Sequence, residues 1–316
     1  MTTTAIVRNE IRRFLQSEEP EVILITGEWG VGKTYTWHEE LRAVRAKKSY
    51  ALDRYSYVSL FGANSLEALK FALIENLDFL SAPTIGSESD ALPGQSVPAY
   101  AAKLLQLAPA LPFVGKFFEK AGPLYFAAVR SQIICIDDLE RRGDALSLKD
   151  VFGLISFLRE QRACKIVLLM NVEALEEDEA TFDTLFEKVI DAQLIFAPTA
   201  EEAAEIALAG QDEVGDLIRK NCIALGISNI RVIKKIERLI RQIIPLLVSF
   251  EAELTKQTVH SITLFGWSKF QPGLAPPSEF YRVSAVARYL EHKTGNTSNQ
   301  QKMERASGPV SIFEYG

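Results

Sequence analysis

The sequence predicts a three-layer α/β fold with a five-stranded parallel sheet, followed by an all-helical domain. Short, almost wholly apolar runs alternate with segments of helical periodicity, as strands buried inside a parallel sheet do. A glycine-rich stretch follows the first of these runs and precedes a helical pattern. From residue 199 the pattern becomes helical, as far as a polar tail that begins near residue 295. These three observations together define the predicted architecture.

The predicted strands and helices alternate along the first 198 residues. The five strands are expected at 21–26, 57–61, 132–136, 165–170 and 192–196. Helices are expected at 5–16, 34–46, from 65 through Leu77, 148–162 and 181–191. Pro198 follows the fifth strand and places a domain boundary near that residue. Beyond it, helices are predicted at 200–209, 212–224 and 229–254.

Composition divides the chain into three domain-level regions. Residues 1–198 form the predicted α/β core, which carries a Ser-, Pro- and Gly-rich loop and an apolar helical insertion at 81–129. Charges and prolines cut its most apolar part, 97–129, into pieces that are shorter than the roughly 20 apolar residues of a spanning helix. Residues 199–294 form the predicted helical lid. Residues 295–316 are polar and are expected to be a flexible tail.

Charge and cysteine content exclude several classes of protein. The formal net charge is −6 at pH 7, which argues against a surface that binds nucleic acid over its whole extent. A local basic face at 231–241 leaves a limited nucleic-acid contact open. Three cysteines at unrelated spacings favour a reducing compartment, and the first two, Cys135 and Cys164, lie in strand-like apolar surroundings where buried free thiols are common. The N-terminus lacks the apolar region of a secretory signal. We therefore expect a cytoplasmic protein without a transmembrane segment.

The strongest motif is the stretch GEWGVGKT, which begins at Gly27 and ends at Thr34. It matches the phosphate-loop pattern G-x-x-x-x-G-K-[ST] in the strand–loop–helix context that the pattern requires. Lys33 is predicted to neutralise the β- and γ-phosphates of ATP, and the Thr34 hydroxyl to bind Mg²⁺. The residues expected to contact the nucleotide are Gly27, Glu28, Trp29, Gly30, Val31, Gly32, Lys33, Thr34 and Tyr35.

An acidic cluster follows the third predicted strand, in the run IICIDDLER. Asp137 is the predicted second ligand of Mg²⁺, as expected for a Walker B strand. Asp138 is predicted to orient and deprotonate the attacking water, with Glu140 as the alternative for that role. Arg141 and Arg142 come next and are interpreted either as charge partners of the cluster or as inter-subunit groups.

Three further polar residues are candidates for catalysis. Asn171 ends the fourth predicted strand, where it would sense the γ-phosphate; an asparagine that merely terminates the strand is the alternative. Lys188 precedes the fifth strand, either as a finger toward a neighbouring subunit's phosphate or as a solvated lysine. Arg231 begins a predicted helix, either reaching back to the γ-phosphate or belonging to a solvated basic face.

Taken together, several segments resemble the KAP family of P-loop NTPases over roughly residues 5–250. They are GEWGVGKT, YVSLFG with the following residues 65–70, IDDLER, FEKVI at 186–190 and the helix start at 229–235. The resemblance implies an additional-strand ATPase core related to AAA+ and STAND proteins, with a helical lid after the sheet. It also implies an insertion between the Walker motifs and, for bacterial members, a link with phage exclusion.

These features favour an ATP-driven switch or motor that acts as a homo-oligomer with a separate effector protein. Two alternatives remain at the level of sequence. One is a small-molecule kinase, which needs an acceptor pocket; the other is a binding or scaffold module with negligible turnover. Release of phosphate without an acceptor distinguishes the first function from both.

Overall fold

A computed structural model of the chain describes residues 3–82, 126–208 and 212–277, with the side chains of 176–181 excepted. The chain divides into two compact units. The first contains Met1–Ala207 together with Ser228–Arg231, and the second contains Leu208–Ile227 and the chain from Val232 onward. Most of the predicted insertion at 81–129, and all of the predicted tail at 295–316, lie outside the described residues.

The first unit is built on a six-stranded mixed sheet. Its strands are β1 (Val22–Thr26), β2 (Arg54–Ser59), β3 (Leu77–Phe79), β4 (Gln132–Asp137), β5 (Lys165–Met170) and β6 (Ala192–Ile195). Their order is β3-β2-β4-β5-β1-β6, and β3 alone is antiparallel to its neighbour. The remaining five strands are parallel, and β5 lies between β1 and β4. The predicted additional-strand α/β fold is therefore confirmed.

The helices of the first unit are α1 (Thr3–Gln16), α2 (Lys33–Ala46), α3 (Leu66–Glu75), α4 (Leu148–Arg162), α5 (Glu179–Val189) and α6 (Ala200–Ala207). The first five pack against the two faces of the sheet. Alternate residues of each strand point to opposite faces. Accordingly, Leu24 packs with the apolar side chains of α3, α4 and α5, whereas Ile23 and Ile25 pack with those of α1 and α2. The result is the predicted three-layer core.

The second unit is helical in its described part. It contains α7 (Glu213–Ala224), most of α8 (Ile230–Ile243) and α9 (Ala252–Phe270). The prediction of one helix over 229–254 is wrong, because α8 ends at Ile243 and a 3-10 turn, Ile244–Leu247, follows. Pro245 lies in that turn and cannot donate a main-chain hydrogen bond, which explains the break. No helix in the described residues is long and apolar enough to cross a membrane.

Two details of the first unit also differ from the prediction. The helix that follows Ser65 ends at Glu75, and Leu77 opens the short strand β3 instead of extending the helix. Strand β2 begins at Arg54, three residues before the predicted start, because it pairs in register with the whole of β4. Cys135 and Cys164 are free and buried, as predicted, and Cys222 is also free and buried.

Candidate phosphate-binding site

The glycine-rich loop joins the buried end of β1 to the start of α2. Gly30 and Gly32 have φ of 81° and 101°, left-handed conformations that glycine adopts without strain. A Cβ on Gly27 would lie 2.3 Å from the carbonyl oxygen of Phe196. Of the other predicted contact residues, Val31 is buried, whereas Glu28 and Tyr35 are exposed. The loop is thus a tightly packed cradle that requires its glycines.

The N-terminus of α2 points its main-chain amides toward the same loop. Its N-cap residue is Gly32, and no described side chain caps the helix. The first amides of a helix lack partners within the helix, and its positive end favours anions. An uncapped 14-residue helix that begins at a glycine cradle is suited to bind phosphate oxygens.

Lys33 is buried under the loop. Its Nζ donates hydrogen bonds to the carbonyl oxygens of Gly27, at 2.7 Å, and Glu28, at 2.9 Å. Burial lowers the pKa of Lys33; the negative charges of Glu140, Asp137 and Asp138 oppose that shift, and the charge of Arg231 adds to it. The ammonium group therefore lies near the acidic cluster, and its hydrogen bonds to described residues go to main-chain oxygens.

The two predicted magnesium ligands meet directly. The Thr34 hydroxyl donates to Oδ2 of Asp137 at 2.7 Å, and the Tyr57 hydroxyl donates to the same oxygen at 2.9 Å. The backbone N–H of Asp138 donates to Oδ1 of Asp137 at 2.8 Å. Burial raises the pKa of Asp137 most; the hydrogen bond from Thr34 lowers it, and the charge of Asp138 raises it further. A hydroxyl and a carboxylate oxygen side by side fit the oxygen ligation of Mg²⁺.

Sequence reasoning missed the residues behind Asp137. The ring of Tyr57 packs against His38, with 5.1 Å between ring centroids. His38 is buried, and its Nδ1 has no hydrogen-bond partner in the described residues. Burial, aided by the charge of Arg42, lowers the pKa of His38 to about 4, so the imidazole is neutral. Its position one turn after Thr34 on α2 was the available signal.

The remaining acidic residues have different surroundings. Asp138 adopts a left-handed backbone with φ of 57°, and its Oδ2 accepts a hydrogen bond from the Ser59 hydroxyl at 2.8 Å. Its Oδ1 lies 3.6 Å from Nη1 of Arg141. Glu140 instead accepts a hydrogen bond from Nε1 of Trp29 at 2.7 Å, which connects the acidic cluster to the phosphate loop.

The two arginines after the cluster make local contacts. The Arg141 guanidinium lies 3.9 Å from the ring centroid of the exposed Phe61. Arg142 donates to the carbonyl oxygens of Leu146, at 2.8 Å, and Leu139, at 3.3 Å. Both therefore contribute to local structure, and Arg141 is in addition a charge partner of Asp138.

Asn171 lies at the same edge of the sheet, directly after β5 and nearly buried. Since β5 separates β1 from β4, Asn171 follows the strand that lies between the phosphate loop and the acidic cluster. Lys188 is exposed near the end of α5 and forms no hydrogen bond or ion pair with another described residue. The structure thus brings Asn171 to the site edge and leaves Lys188 on the surface.

Residues 228–231, which are distant in sequence but belong to the first unit, contact the phosphate loop. Asn229 Nδ2 donates to the carbonyl oxygen of Trp29 at 2.8 Å, and the Arg231 N–H donates to that of Gly30 at 3.2 Å. A Cβ on Gly32 would lie 2.6 Å from Cδ1 of Ile230. Arg231 is therefore the second residue of α8 and its main chain lies beside the loop, while Asn229 was not among the predicted site residues.

The basic face predicted for 231–241 is partly neutralised in the second unit. Glu237 pairs with Lys234 at 3.1 Å and with Arg241 at 2.9 Å, and Arg241 also pairs with Asp212 at 2.7 Å. Lys235 lies over the ring of Phe270. The net positive charge of this face is therefore smaller than the sequence indicates.

Strand order, the glycine loop after β1 and the acidic end of β4 define the fold of an additional-strand P-loop ATPase. No protein-family model and no curated protein sequence matches the chain. The similar solved structures include the ORC2 protein of Aeropyrum pernix in its ADP form, with a TM-score of 0.48 and 15% identity over 82% of this chain and 67% of that one.

Two further examples come from other organisms. The Drosophila ORC bound to DNA has a TM-score of 0.43 and 15% identity over 81% of this chain and 58% of that one. A point mutant of Thermotoga maritima RuvB has a TM-score of 0.40 and 10% identity over 96% of this chain and 80% of that one. The chain spans 58% of the Drosophila ORC chain, less than two thirds of its length.

Proposed function

We propose that the chain binds ATP with Mg²⁺ and hydrolyses it, and that the cycle drives a switch or motor. The observation that carries this proposal is the hydrogen bond between the Thr34 hydroxyl and the Asp137 carboxylate, at 2.7 Å. Phosphate-loop ATPases hold magnesium between these two kinds of side chain. The 103 positions that separate the two residues make a chance meeting of this kind improbable.

The phosphates would bind in the glycine loop and at the uncapped N-terminus of α2. Lys33 would exchange its bonds to the Gly27 and Glu28 carbonyls for the β- and γ-phosphate oxygens. Thr34 and Asp137 would hold Mg²⁺, which when bound neutralises charge that develops on the phosphates. The backbone N–H of Arg231 donates to the Gly30 carbonyl oxygen, and the Arg231 side chain would add a further positive charge. Positioning and charge neutralisation account for most of the expected rate enhancement.

A carboxylate of the acidic cluster must then orient the attacking water and accept its proton. The sequence favours Asp138, with Glu140 as the alternative. Asn171, at the end of the intervening strand, is the proposed sensor of the γ-phosphate. Its position between the ends of β1 and β4 supports that role.

The proposed biological setting is the one that the resemblance to the KAP family implies. We propose that the chain acts as a homo-oligomer with a separate effector, in a bacterial anti-phage defence complex. The resemblance includes the Trp29 phosphate loop and the IDDLER segment, and a hydrogen bond joins the two. A nucleotide-dependent scaffold with negligible turnover and a small-molecule kinase are the alternatives.

Titration calorimetry with Mg-ATP and an assay of phosphate release without an acceptor test the proposal together. We expect binding with a 1:1 stoichiometry and phosphate release that requires magnesium. Asp137→Asn should retain binding in the presence of EDTA and lose phosphate release. Binding without release in the wild type would favour the scaffold, and release only with an added acceptor would favour the kinase. Absence of any heat would contradict nucleotide binding.

A mixing experiment tests whether neighbouring subunits share a site. Lys188→Ala subunits are combined with Lys33→Ala subunits, each inactive or weakened alone. Partial recovery of phosphate release at intermediate ratios is expected if Lys188 reaches the phosphate of a neighbour. The same mixture made with Arg231→Ala should show no recovery if Arg231 serves the site of its own chain, as its bond to Gly30 favours.

A further inference from the structure

We propose that Glu140, held in place by Trp29, is the carboxylate that takes the proton of the attacking water. Glu140 is thereby the catalytic residue, and Trp29 is its positioning residue. This inference rests on the proposed ATPase function and assigns within it a role for which the sequence alone favours Asp138.

The contact between Trp29 and Glu140 brings the acid to the phosphate loop. Nε1 of Trp29 donates to Oε1 of Glu140 at 2.7 Å, across 111 positions of sequence. A hydrogen bond to an ionised carboxylate is stronger than one between neutral groups and fixes its direction. Because Trp29 belongs to the loop itself, the bond sets Glu140 beside the place where the phosphates would lie.

The second oxygen of Glu140 is an unused hydrogen-bond acceptor. Oε2 is buried and has no hydrogen-bond partner in the described part of the chain. A buried carboxylate oxygen without a partner is costly unless water or a ligand supplies the missing bond. The charge of Glu140 also acts on the Lys33 ammonium group more strongly than that of Asp137 or Asp138. Glu140 therefore combines an unused acceptor oxygen with a charge that acts on Lys33.

Both oxygens of Asp138 face other side chains. Its Oδ2 accepts the Ser59 hydroxyl, and its Oδ1 faces the guanidinium of Arg141. These partners tie it to the end of β2 and to the turn after β4. We infer that Asp138 stabilises this turn and the Arg141 side chain, which would explain its left-handed backbone as a structural rather than a reactive feature.

The chemical step balances with these groups alone. The water oxygen forms a bond to the γ-phosphorus, and the bond between that phosphorus and the β–γ bridging oxygen breaks. The electron pair of the broken bond remains on the bridging oxygen of ADP. The water proton passes to Oε2 of Glu140, which then releases it to solvent, so that ATP and water give ADP, phosphate and a proton.

Single-turnover phosphate release with Mg-ATP compares Glu140→Gln and Asp138→Asn. Loss of a general base lowers a rate by about 10²- to 10⁴-fold, so Glu140→Gln should fall by at least about 100-fold. Its dissociation constant for Mg-ATP should change by less than about threefold, because charge on Glu140 is not needed for binding. Asp138→Asn should lose less than about tenfold. Glu75→Gln, an exposed glutamate at the end of α3, is the matched control and should equal the wild type.

A double-mutant cycle tests the positioning role of Trp29. Trp29→Phe keeps a ring but removes the N–H donor, and it should lower kcat by about tenfold with KM for ATP little changed. Because Trp29 acts through Glu140, Trp29→Phe combined with Glu140→Gln should be no slower than Glu140→Gln alone. A purely structural role of Trp29 would instead give additive losses and a raised KM.

The outcomes separate this inference from the proposed function. If the wild type releases phosphate and Glu140→Gln keeps more than about a third of its rate, the assignment of Glu140 is overturned while the ATPase stands. The same holds if Asp138→Asn shows the larger loss. If the wild type neither binds nor hydrolyses Mg-ATP, the proposed function fails first, and this inference fails with it.

Discussion

Two buried lysines, at opposite ends of the neighbouring strands β1 and β5, differ in what surrounds them. Lys165 begins β5 and is fully buried; its Nζ donates to the Ser17 carbonyl at 2.6 Å and lies 3.3 Å from the Glu21 carboxylate. Lys33 follows β1 at the other end, and its bonds to described residues go to carbonyl oxygens of its own loop. Burial lowers the pKa of both. Burial alone therefore does not mark a site, whereas a buried ammonium group without a paired carboxylate among the described residues does.

The largest expected effect comes from Lys33→Met. Removal of the ammonium group should lower kcat/KM for ATP by at least about 100-fold, equivalent to roughly 3 kcal/mol of transition-state stabilisation. The free energy of unfolding should stay the same or rise, because a desolvated charge is lost. Steady-state phosphate release and urea unfolding measure the two quantities.

Lys165→Met is the matched variant and should show the opposite pattern. It leaves the Ser17 carbonyl without its side-chain donor and removes one of the two cations that contact Glu21, which keeps Arg13, so the free energy of unfolding should fall by about 1–3 kcal/mol. Activity at a permissive temperature should stay within about threefold of the wild type, since the two lysines lie at opposite strand ends. If Lys165→Met abolished activity and kept full stability, the contrast between the two lysines would be refuted.

His38 is a third buried basic residue, and unlike the two lysines it is neutral at pH 7. Its folded pKa is about 4 and its ordinary value is 6.5, so the unfolded chain binds the proton more readily. The contribution of neutral His38 to the free energy of unfolding is complete above pH 6.5. It is lost as the pH falls toward 4, by roughly 3 kcal/mol in total. Urea unfolding between about pH 7 and pH 4.5 should show a shallower decline for His38→Phe than for the wild type. Equal pH slopes would argue against a buried neutral imidazole.

Substitutions of Thr34, the residue after Lys33, test the proposed magnesium ligation. Thr34→Val keeps the side-chain volume but removes the hydroxyl, and it should lower phosphate release by more than about tenfold through weaker metal ligation. Thr34→Ser keeps the hydroxyl and should retain most of the rate. Phosphate release at increasing Mg²⁺ concentration measures how much metal each variant requires. A valine variant with an unchanged magnesium requirement would exclude Thr34 as a ligand.

The smallest expected effect is that of Asn229→Ala. It removes the hydrogen bond from Nδ2 to the Trp29 carbonyl, which contributes about 1 kcal/mol to the order of the loop. KM for ATP should rise about fivefold, which is equivalent to that energy. Asn221→Ala, in the second unit, is the control and should leave KM unchanged. A rise in KM with both variants would indicate a general loss of stability.

Much of the fold follows from local sequence. Strands β1, β4 and β5 have a neighbouring strand on each side, and every one of their residues is buried, so each appears in the sequence as a nearly continuous apolar run. The glycine loop is equally local, because its conformation depends on φ values that glycine adopts most readily. The break at Pro245 was also visible in the sequence, since proline disrupts helix interiors.

Other features depend on partners far away in sequence. The three residues of β3 are a strand only because they pair with Arg54, Tyr55 and Ser56, and their own composition fits the end of a helix equally well. The bond from Asn229 to Trp29 spans 200 positions. The choice between Asp138 and Glu140 likewise depends on Ser59 and Trp29, which no spacing within the acidic cluster reveals.

The half-exposed indole of Trp29 has a practical consequence. The chain has three tryptophans; Trp37 is fully buried and Trp267 lies on α9 in the second unit, so Trp29 alone belongs to the phosphate loop. Its N–H meets a carboxylate whose ionisation and distance alter the emission of an excited indole. The protein thus carries its own optical reporter, and intrinsic fluorescence would follow occupancy of the loop in unlabelled samples.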